Sequence, residues 1–314
     1  MFGRGAISSV YGWVLERAGH EVEFYVRPGR ASEYGDSIHL DLLDTRRSLR
    51  GKRVVESWPV QYIETLEADH DFDLIVVSVS HERLPQALEF LGARLGRATI
   101  LVFGNVWVEP LDLIRDLPAD RFAWGFPGSG GAFAPDGVLR AGLLSTVIFG
   151  TFGQPPTKRE LAVRQLFREA GLNPTENADF RSWLWMHFIV DAGLHSQGVR
   201  LGSLSDLVGS RADFRAAFLT GRELLPVLTA RGADSRSGRA QSSLLRAPTW
   251  LTASAMAWAT AHLRLAGLAF AVHSNPDAEE PRAICRDALA EARLLGIATP
   301  RLAEAEAYFA RGGD

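Results

Sequence analysis

Residues 1–27 read MFGRGAISSVYGWVLERAGHEVEFYVR. Within them, Gly3-Arg4-Gly5-Ala6-Ile7-Ser8 has the G-x-G-x-x-S spacing of a dinucleotide-binding turn. Gly3 would make the tight turn and Gly5 would let the backbone approach a pyrophosphate. A small residue at position 8 would let the next helix pack closely on a sheet. A helix over Ile7–Ala18 then offers the anion its unpaired N–H groups and positive dipole end. The bland alternative is an ordinary glycine turn. The order of elements favours the first reading, because the turn is followed by a helix and then by the strand Glu21–Val26 (EVEFYV). That strand ends at Arg27, where readers of NAD usually carry a carboxylate for the ribose 2′-hydroxyl. Arginine can pair with a 2′-phosphate and stack on adenine, so NADP is favoured over NAD; the alternative is a solvated surface arginine. Only Met1 and Phe2 stand before the first glycine, where a βαβ unit has a full apolar strand. The expectation is either a start inside a longer chain or a sheet without its usual central strand.

Further along, Leu74–Val79 (LIVVSV), Ile100–Phe103 (ILVF) and Thr146–Phe149 (TVIF) are apolar at nearly every position, as parallel strands covered on both faces should be. Amphipathic helical patterns cover Ser9–Ala18, Glu82–Leu95 and Pro110–Leu117. This alternation predicts an α/β fold with a Rossmann-type, doubly wound parallel sheet. Residues 36–63 hold two polar-alternating strands, SIHLDLL and RVVESWPV, which read as a hairpin excursion. Gly125–Gly131 (GFPGSGG) reads as a loop. After Gly150, Gln154-Pro155-Pro156 is a break, and Thr157 is placed to cap a helix running to Ala170. From Asn177 onward the periodicity is helical, and Asn275-Pro276 is expected to open a late helix that ends at Gly296. Two domains follow: an NADP-binding domain over 1–172 with its first strand cut short, and an all-α domain over 173–314 for substrate and dimerisation.

Composition narrows the function classes. The net charge of −3 gives no basic excess for nucleic-acid phosphates. A single cysteine, Cys285, excludes an internal disulfide and a Cys-based zinc cluster, and its apolar helical setting reads as inert packing. Of 34 basic residues only Lys52 and Lys158 are lysines. Trp250–Val272 is the most apolar long stretch, but His262 and Arg264 lie near its middle, so it reads as a buried helix and not a membrane span. Without an apolar leader at the N-terminus, the expected location is the cytoplasm.

The chain resembles the ketopantoate reductase (2-dehydropantoate 2-reductase) family over nearly its whole length. The resemblance rests on GRGAISSVYGWVLERAGHEVEFYVR, DFDLIVVSVS, ILVFGN, WLWMHFIVDAGL and ALAEARLLGIATP, in that order. It implies NADPH as hydride donor, a small carbonyl substrate such as a 2-keto acid, and an acid that protonates the carbonyl oxygen. The family's cofactor turn falls on Gly3–Ser8, so that Gly3, Arg4, Gly5, Ala6, Ile7 and Ser8 would meet the cofactor. Its 2′-phosphate arginine falls on Arg27, its nicotinamide-side asparagine on Asn105, and its ribose-contacting glutamate on Glu280. Other positions depart. The family helix pattern W-x-K-x-x-x-N reads Trp185-Met186-His187-Phe188-Ile189-Val190-Asp191, so the proton-donating lysine becomes histidine and the asparagine becomes aspartate. A second lysine becomes Ser80, and the substrate-carboxylate serine gives way to an apolar residue near Leu268.

His187, Asp191 and His195 recur at i, i+4 and i+8, which places them on one helix face among Trp183, Trp185, Phe188 and Ile189. Titratable groups in such surroundings need partners or water. The functional reading is catalytic, with His187 as general acid, Asp191 orienting it, and Asn105 positioning substrate or nicotinamide. Two alternatives stay open. One is an internally satisfied polar stripe; the other is a metal site on H-x₃-D-x₃-H, for which spacing does not identify a fourth ligand such as His273 or Glu280. For the whole chain, the alternative to a reductase is a nucleotide-binding sensor or scaffold without turnover.

Overall fold

The computed structural model describes residues 1–48, 50–234, 236–271 and 279–310. The chain forms two compact units, Met1–Gly104 with Val108–Ala178, and Asn105–Trp107 with Asp179–Asp314. The first unit carries strands β1 (Glu23–Tyr25), β2 (Ser37–Asp44), β3 (Lys52–Pro59), β4 (Gln61–Ile63), β5 (Leu74–Val77), β6 (Thr99–Phe103), β7 (Phe122–Phe126), β8 (Ser129–Phe133), β9 (Leu139–Leu143), β10 (Thr146–Gly150) and β11 (Asn173–Asn177). Its helices are α1 (Ala6–Arg17), α2 (Ala31–Tyr34), α3 (Leu84–Gly92) and α4 (Lys158–Glu169).

The α/β expectation holds. β5, β6 and β7 run parallel in that order, and β4 runs parallel beside β1. Phe2 joins the two sets, bridging Tyr25 of β1 on one side and Val77 of β5 on the other, both in parallel. The usual central strand is therefore present, but only as this one residue between β1 and β5. On the far side β10 adds antiparallel to β7, and β11 parallel to β10. β6 is buried at all five positions, as its unbroken apolar sequence requires.

The expected hairpin forms: β2 and β3 pair antiparallel over eight residues. It does not stand alone, because β9 joins β2 in parallel and β8 pairs with β9, giving a second sheet in the order β3-β2-β9-β8. The first unit's core draws Val10, Tyr11 and Val14 of α1 together with Ile38 and Leu40 of β2, Phe103 of β6, Phe149 of β10 and Phe167 of α4. Tyr11, Phe103, Phe149 and Phe167 meet ring to ring at 4.8–5.8 Å, with edge-to-face crossings dominating. The α4 start is as read: Thr157 accepts from the Glu160 N–H, and the Glu160 carboxylate accepts from the Thr157 N–H.

Three local expectations fail for identifiable reasons. Pro110–Leu117 is not a regular helix but a single 3₁₀ turn at Asp112–Ile114 with flanking turns; Pro118 turns Leu117 away from helical backbone. Gly125–Gly131 is not a loop; it is the end of β7, a two-residue link and the start of β8. Gly128 serves close approach, since a Cβ there would lie 1.8 Å from the Thr146 carbonyl oxygen. The strand β11 has the polar sequence NPTEN and was not foreseen; as an edge strand it tolerates Pro174.

The second unit is helical, as expected. It comprises α5 (Phe180–Leu201), α6 (Arg211–Glu223), α7 (Leu225–Ala230), α8 (Arg239–Arg246), α9 (Thr249–His262), α10 (Arg264–Ala271), α11 (Glu279–Leu294), α12 (Pro300–Glu304) and α13 (Glu306–Phe309). α5 is apolar around most of its circumference and is buried accordingly, packing on α6 and α11. Asp179 caps its start and Gly202, at φ +102°, ends it. Cys285 is fully buried against it, its thiol donating to the Ala192 carbonyl at 3.6 Å, and burial pushes the thiol pKa far up. Trp250–Val272 is corrected on two counts. The chain breaks at Leu263 into α9 and α10, and Trp250, Leu251 and Trp258 are more than half exposed. No helix among the described residues is long and apolar enough to cross a membrane. The Asn275-Pro276 cap and His273 lie outside the described residues, while α11 ends as read, at Gly296 with φ +66°.

Burial also acts on the Met1 amine, which is pushed from 8.0 down to about 5 against a smaller opposing pull from Glu23. Between those values the unfolded chain binds a proton that the folded chain does not, so this group makes stability rise with pH. Thermal unfolding at a series of pH values should show the melting temperature climbing from pH 5 to pH 8. Acetylating Met1 should flatten that climb, and an identical climb in both forms would refute the assignment.

Candidate functional site

The chain turns at Gly3 and enters α1 at Ala6, so the glycine turn leads into a helix as expected. Gly3 sits at φ +91°, a left-handed conformation that side chains rarely adopt, and this swings the chain from the sheet into α1. Gly5 is the N-cap of α1, and neither a side-chain cap nor an acidic residue occupies the first turn. The first intrahelical bond runs from the Ser9 N–H to the Gly5 carbonyl, so the N–H groups of Ala6, Ile7 and Ser8 lie ahead of it. A twelve-residue helix with an uncapped, uncharged start is suited to an anion. A Cβ on Gly3 would meet nothing within 4 Å, and one on Gly5 only the Ser78 carbonyl at 3.7 Å, so space is left open over the turn. Ser8 is fully buried, as expected of the position where the helix approaches the sheet.

Arg27 follows β1 and is exposed; among the described residues no hydrogen bond or ion pair engages its guanidinium. The Glu64 carboxylate accepts from the N–H groups of Ala31, Gly29 and Arg30, which hold its pKa below the usual range and order the turn after Arg27. Sequence reasoning assigned Arg4 only a place in the turn. Its guanidinium also lies 4.8 Å from the ring centre of Tyr34 and 4.2 Å from that of Phe133, and its Nε donates to the Tyr62 hydroxyl at 2.8 Å. No carboxylate neutralises it among the described residues. Aromatic residues from three separate segments make this bracket, so no local pattern could have disclosed it.

In the second unit, three predicted residues come together. Asn105 Nδ2 donates to Asp191 Oδ2 at 2.8 Å, and His187 Nε2 stands 3.4 Å from the same oxygen. The His187 ring stacks on Trp183 at 5.2 Å and 11°, and Trp183 stacks on Phe180, so one face of the imidazole is covered. The His187 and Asp191 side chains keep 25% and 19% of their surface exposed, which gives the pair access to a reactant. Asn105 Oδ1 is buried and has no hydrogen-bond partner among the described residues, an acceptor without a donor.

Trp107, which sequence reasoning passed over, fixes Asn105 in place. Its ring stacks on Phe188 at 4.6 Å, the Arg231 guanidinium lies 4.1 Å from the ring centre, and Arg231 Nη2 donates to the Trp107 carbonyl at 2.7 Å. The only clue was a large aromatic two residues after the asparagine. His195 is buried on α5, and Glu280 lies in the first turn of α11. Among the described residues, no group of three or more His, Cys, Asp and Glu side chains is placed to hold a metal ion. Lys52 begins β3 and Lys158 begins α4, both in the first unit.

A doubly wound α/β unit with a glycine turn at its first helix, followed by a helical unit, is the fold of the ketopantoate reductases. Residues 1–152 match the family model of ketopantoate reductase PanE/ApbA, which bears out the resemblance read in the sequence. A PanE/ApbA family ketopantoate reductase from Ralstonia eutropha JMP134 aligns with a TM-score of 0.68 at 19% identity, covering 99% of this chain and 97% of that one. The 2-dehydropantoate 2-reductase of Geobacter metallireducens GS-15 gives 0.65 at 18%, covering 99% and 98%. D-Mandelate dehydrogenase, in a ternary structure with NADH and anilino(oxo)acetate, gives 0.66 at 15%, covering 99% and 97%. No curated protein sequence matches the chain.

The two glycines of the turn should behave differently when each is changed to alanine. Gly3→Ala forces a side chain into the left-handed region and should cost about 1–2 kcal/mol of stability. Gly5→Ala, at φ −73° with only an ordinary contact, should melt within a degree or two of the parent. Calorimetry on both variants checks this, and equal losses would contradict it.

Proposed function

We propose that the protein is an NADP-dependent oxidoreductase that reduces a small carbonyl compound of the 2-keto acid type, with chemistry altered from that of ketopantoate reductases. The observation that carries the proposal is the His187–Asp191–Asn105 group, an acid, its carboxylate and an amide joined by hydrogen-bonding distances. The residues present fit the cofactor. The N–H groups of Ala6, Ile7 and Ser8 would hold the pyrophosphate over the open space at Gly3 and Gly5, with Arg4 beside them. Arg27 would pair with the 2′-phosphate. The lone acceptor Asn105 Oδ1 would take a donor of the nicotinamide half or of the substrate, and Glu280 would contact the ribose. Bound NADPH supplies a hydride.

The chain's own part is proton delivery and orientation. His187, protonated, donates a proton to the carbonyl oxygen as negative charge develops there. Asp191 holds the imidazole by its Oδ2 and balances its charge; Asn105, bonded to that same oxygen, keeps the carboxylate from rotating away. Histidine here does what a lysine would, and neither Lys52 nor Lys158 belongs to the unit that carries this helix. In the reverse direction His187 takes the proton back from an alcohol. A single buried thiol and the absence of basic excess fit a cytoplasmic location, and the helical unit would also serve a homodimer.

Two measurements test the proposal. His187→Ala should lower turnover by about 10²–10⁴-fold on whichever carbonyl substrate of a 2-keto acid panel is reduced fastest, with NADPH affinity almost unchanged. Arg27→Asp should erase a preference for NADPH over NADH in a fluorescence titration, since a favourable charge pair becomes a repulsion. Wild-type protein that binds both cofactors equally would overturn the NADP assignment. Tight NADPH binding with no turnover of any substrate would instead identify a nucleotide-binding sensor or scaffold.

A further inference from the structure

α9 is built the wrong way round for a helix on a globular core. Its buried side is small, with Ala253, Ala257 and Thr260, and it packs on α6. Its large side chains face outward: Trp250, Leu251 and Trp258 are more than half exposed, and Leu263, its C-cap, nearly so. At 3.6 residues per turn, Trp250, Leu251 and Trp258 fall within an arc of about 100°. Single apolar side chains scattered over a surface are ordinary, whereas a cluster on one helix face marks a contact surface. The polar groups of this face are turned back onto the helix. Ser254 Oγ donates to the Trp250 carbonyl at 2.6 Å. His262 Nδ1 donates to the Trp258 carbonyl at 2.8 Å, and its ring stacks on Trp258 at 5.4 Å and 16°, which widens the aromatic surface.

The charge of the segment is one-sided. The chain holds 37 acidic residues, yet no Asp or Glu stands between Asp234 and Asp277. Arginines stand at the element ends instead: Arg239 opens α8, Arg246 closes it, and Arg264 opens α10. All three are exposed. Arg246 and Arg264 thus flank α9, whose fourteen residues span about 21 Å.

We propose that α9 docks the protein on an anionic lipid surface, lying along it with Trp250, Leu251 and Trp258 at the boundary between headgroups and acyl chains. Tryptophan suits that boundary because its ring is apolar and its N–H polar. Arg246 and Arg264 reach the lipid phosphates at the two ends, their stems lying on apolar surface and their charged heads in the headgroup layer. The contact is peripheral, because the side with Ala253 and Ala257 stays on α6. Charge selects this occupant over a second copy of the chain. Two copies joined through α9 would bring Arg246 and Arg264 together, with no carboxylate from either segment to neutralise them.

The test uses the full chain with vesicles of phosphatidylcholine, alone or mixed with phosphatidylglycerol. Co-sedimentation with the mixed vesicles should be about tenfold stronger than with phosphatidylcholine alone, and high salt should shrink the difference. The protein should also raise the surface pressure of a phosphatidylglycerol monolayer, as inserted side chains do. Arg246→Gln combined with Arg264→Gln should weaken vesicle binding by about tenfold or more. Trp250→Ser combined with Trp258→Ser should abolish both the binding and the pressure rise. Both double variants should keep the parent's melting temperature within a few degrees, because the replaced side chains are exposed. Absence of binding to the mixed vesicles, or equal binding to both kinds, would overturn the proposal. So would a lipid-free dimer that the tryptophan double variant splits into monomers, since a second copy would then own the face. NADPH binding and turnover play no part in these readouts.

Discussion

A short ladder across Phe2 holds the first unit together. One residue bridges β1 and β5, and without those bonds the parallel sheet would come apart into two strands and five. The residue after it, Gly3, turns the chain at once into α1, so the glycine turn inherits its position from this bridge. α1 is then braced from the second sheet. Trp13 Nε1 donates to Glu56 on β3 at 2.6 Å, Trp58 Nε1 on β3 donates back to Glu16 at 2.8 Å, and Arg17 adds two bonds to Glu56. Tyr11 accepts from the Gly128 N–H at 2.9 Å, so the same helix also holds the link between β7 and β8. The open N–H groups at its start are therefore carried on a helix pinned at both ends and along one side. Such rigidity suits backbone recognition of a phosphate, because the donors cannot adjust individually to the ligand.

The second unit solves a different problem, which is keeping polar groups on a nearly all-apolar helix. Asp191 does so by serving two partners with one oxygen, the Asn105 amide and the His187 imidazole. Asn105 comes from a three-residue segment far away in sequence, and Trp107 is what pins that segment. The ring lies between Phe188 and Arg231, and Arg231 lies 3.8 Å from the centre of the Trp185 ring as well. Truncating Trp107 would thus act on the histidine through the asparagine and the aspartate.

Much of this was legible in the sequence where the signal was local. Apolar runs such as LIVV and TILVF named buried parallel strands, the Thr157–Glu160 pair named a helix start, and the i, i+4 spacing named the His187–Asp191 pair. The reading failed where a partner decides the structure. NPTEN becomes a strand only because β10 offers it an edge, and GFPGSGG becomes strand rather than loop because β10 and β9 pair with its two ends. Pro110–Leu117, whose periodicity is helical, closes only a 3₁₀ turn at Asp112–Ile114. The site divides the same way. His187, Asp191 and Asn105 could be named singly, but their meeting on one carboxylate oxygen depends on packing by Trp107. The Arg4 bracket of Tyr34, Tyr62 and Phe133 had no linear trace at all.

The eight tryptophans fall into two optical populations. Six of them, Trp13, Trp58, Trp107, Trp124, Trp183 and Trp185, keep 7% of their surface or less, whereas Trp250 and Trp258 on α9 keep 65% and 58%. Emission from the six is shielded from an ionic quencher such as iodide, while the two on α9 meet it directly. The protein therefore carries a built-in reporter on one helix face. Covering of that face by any other surface would appear as loss of the quenchable fraction, with the signal from the tryptophans around His187 left in place.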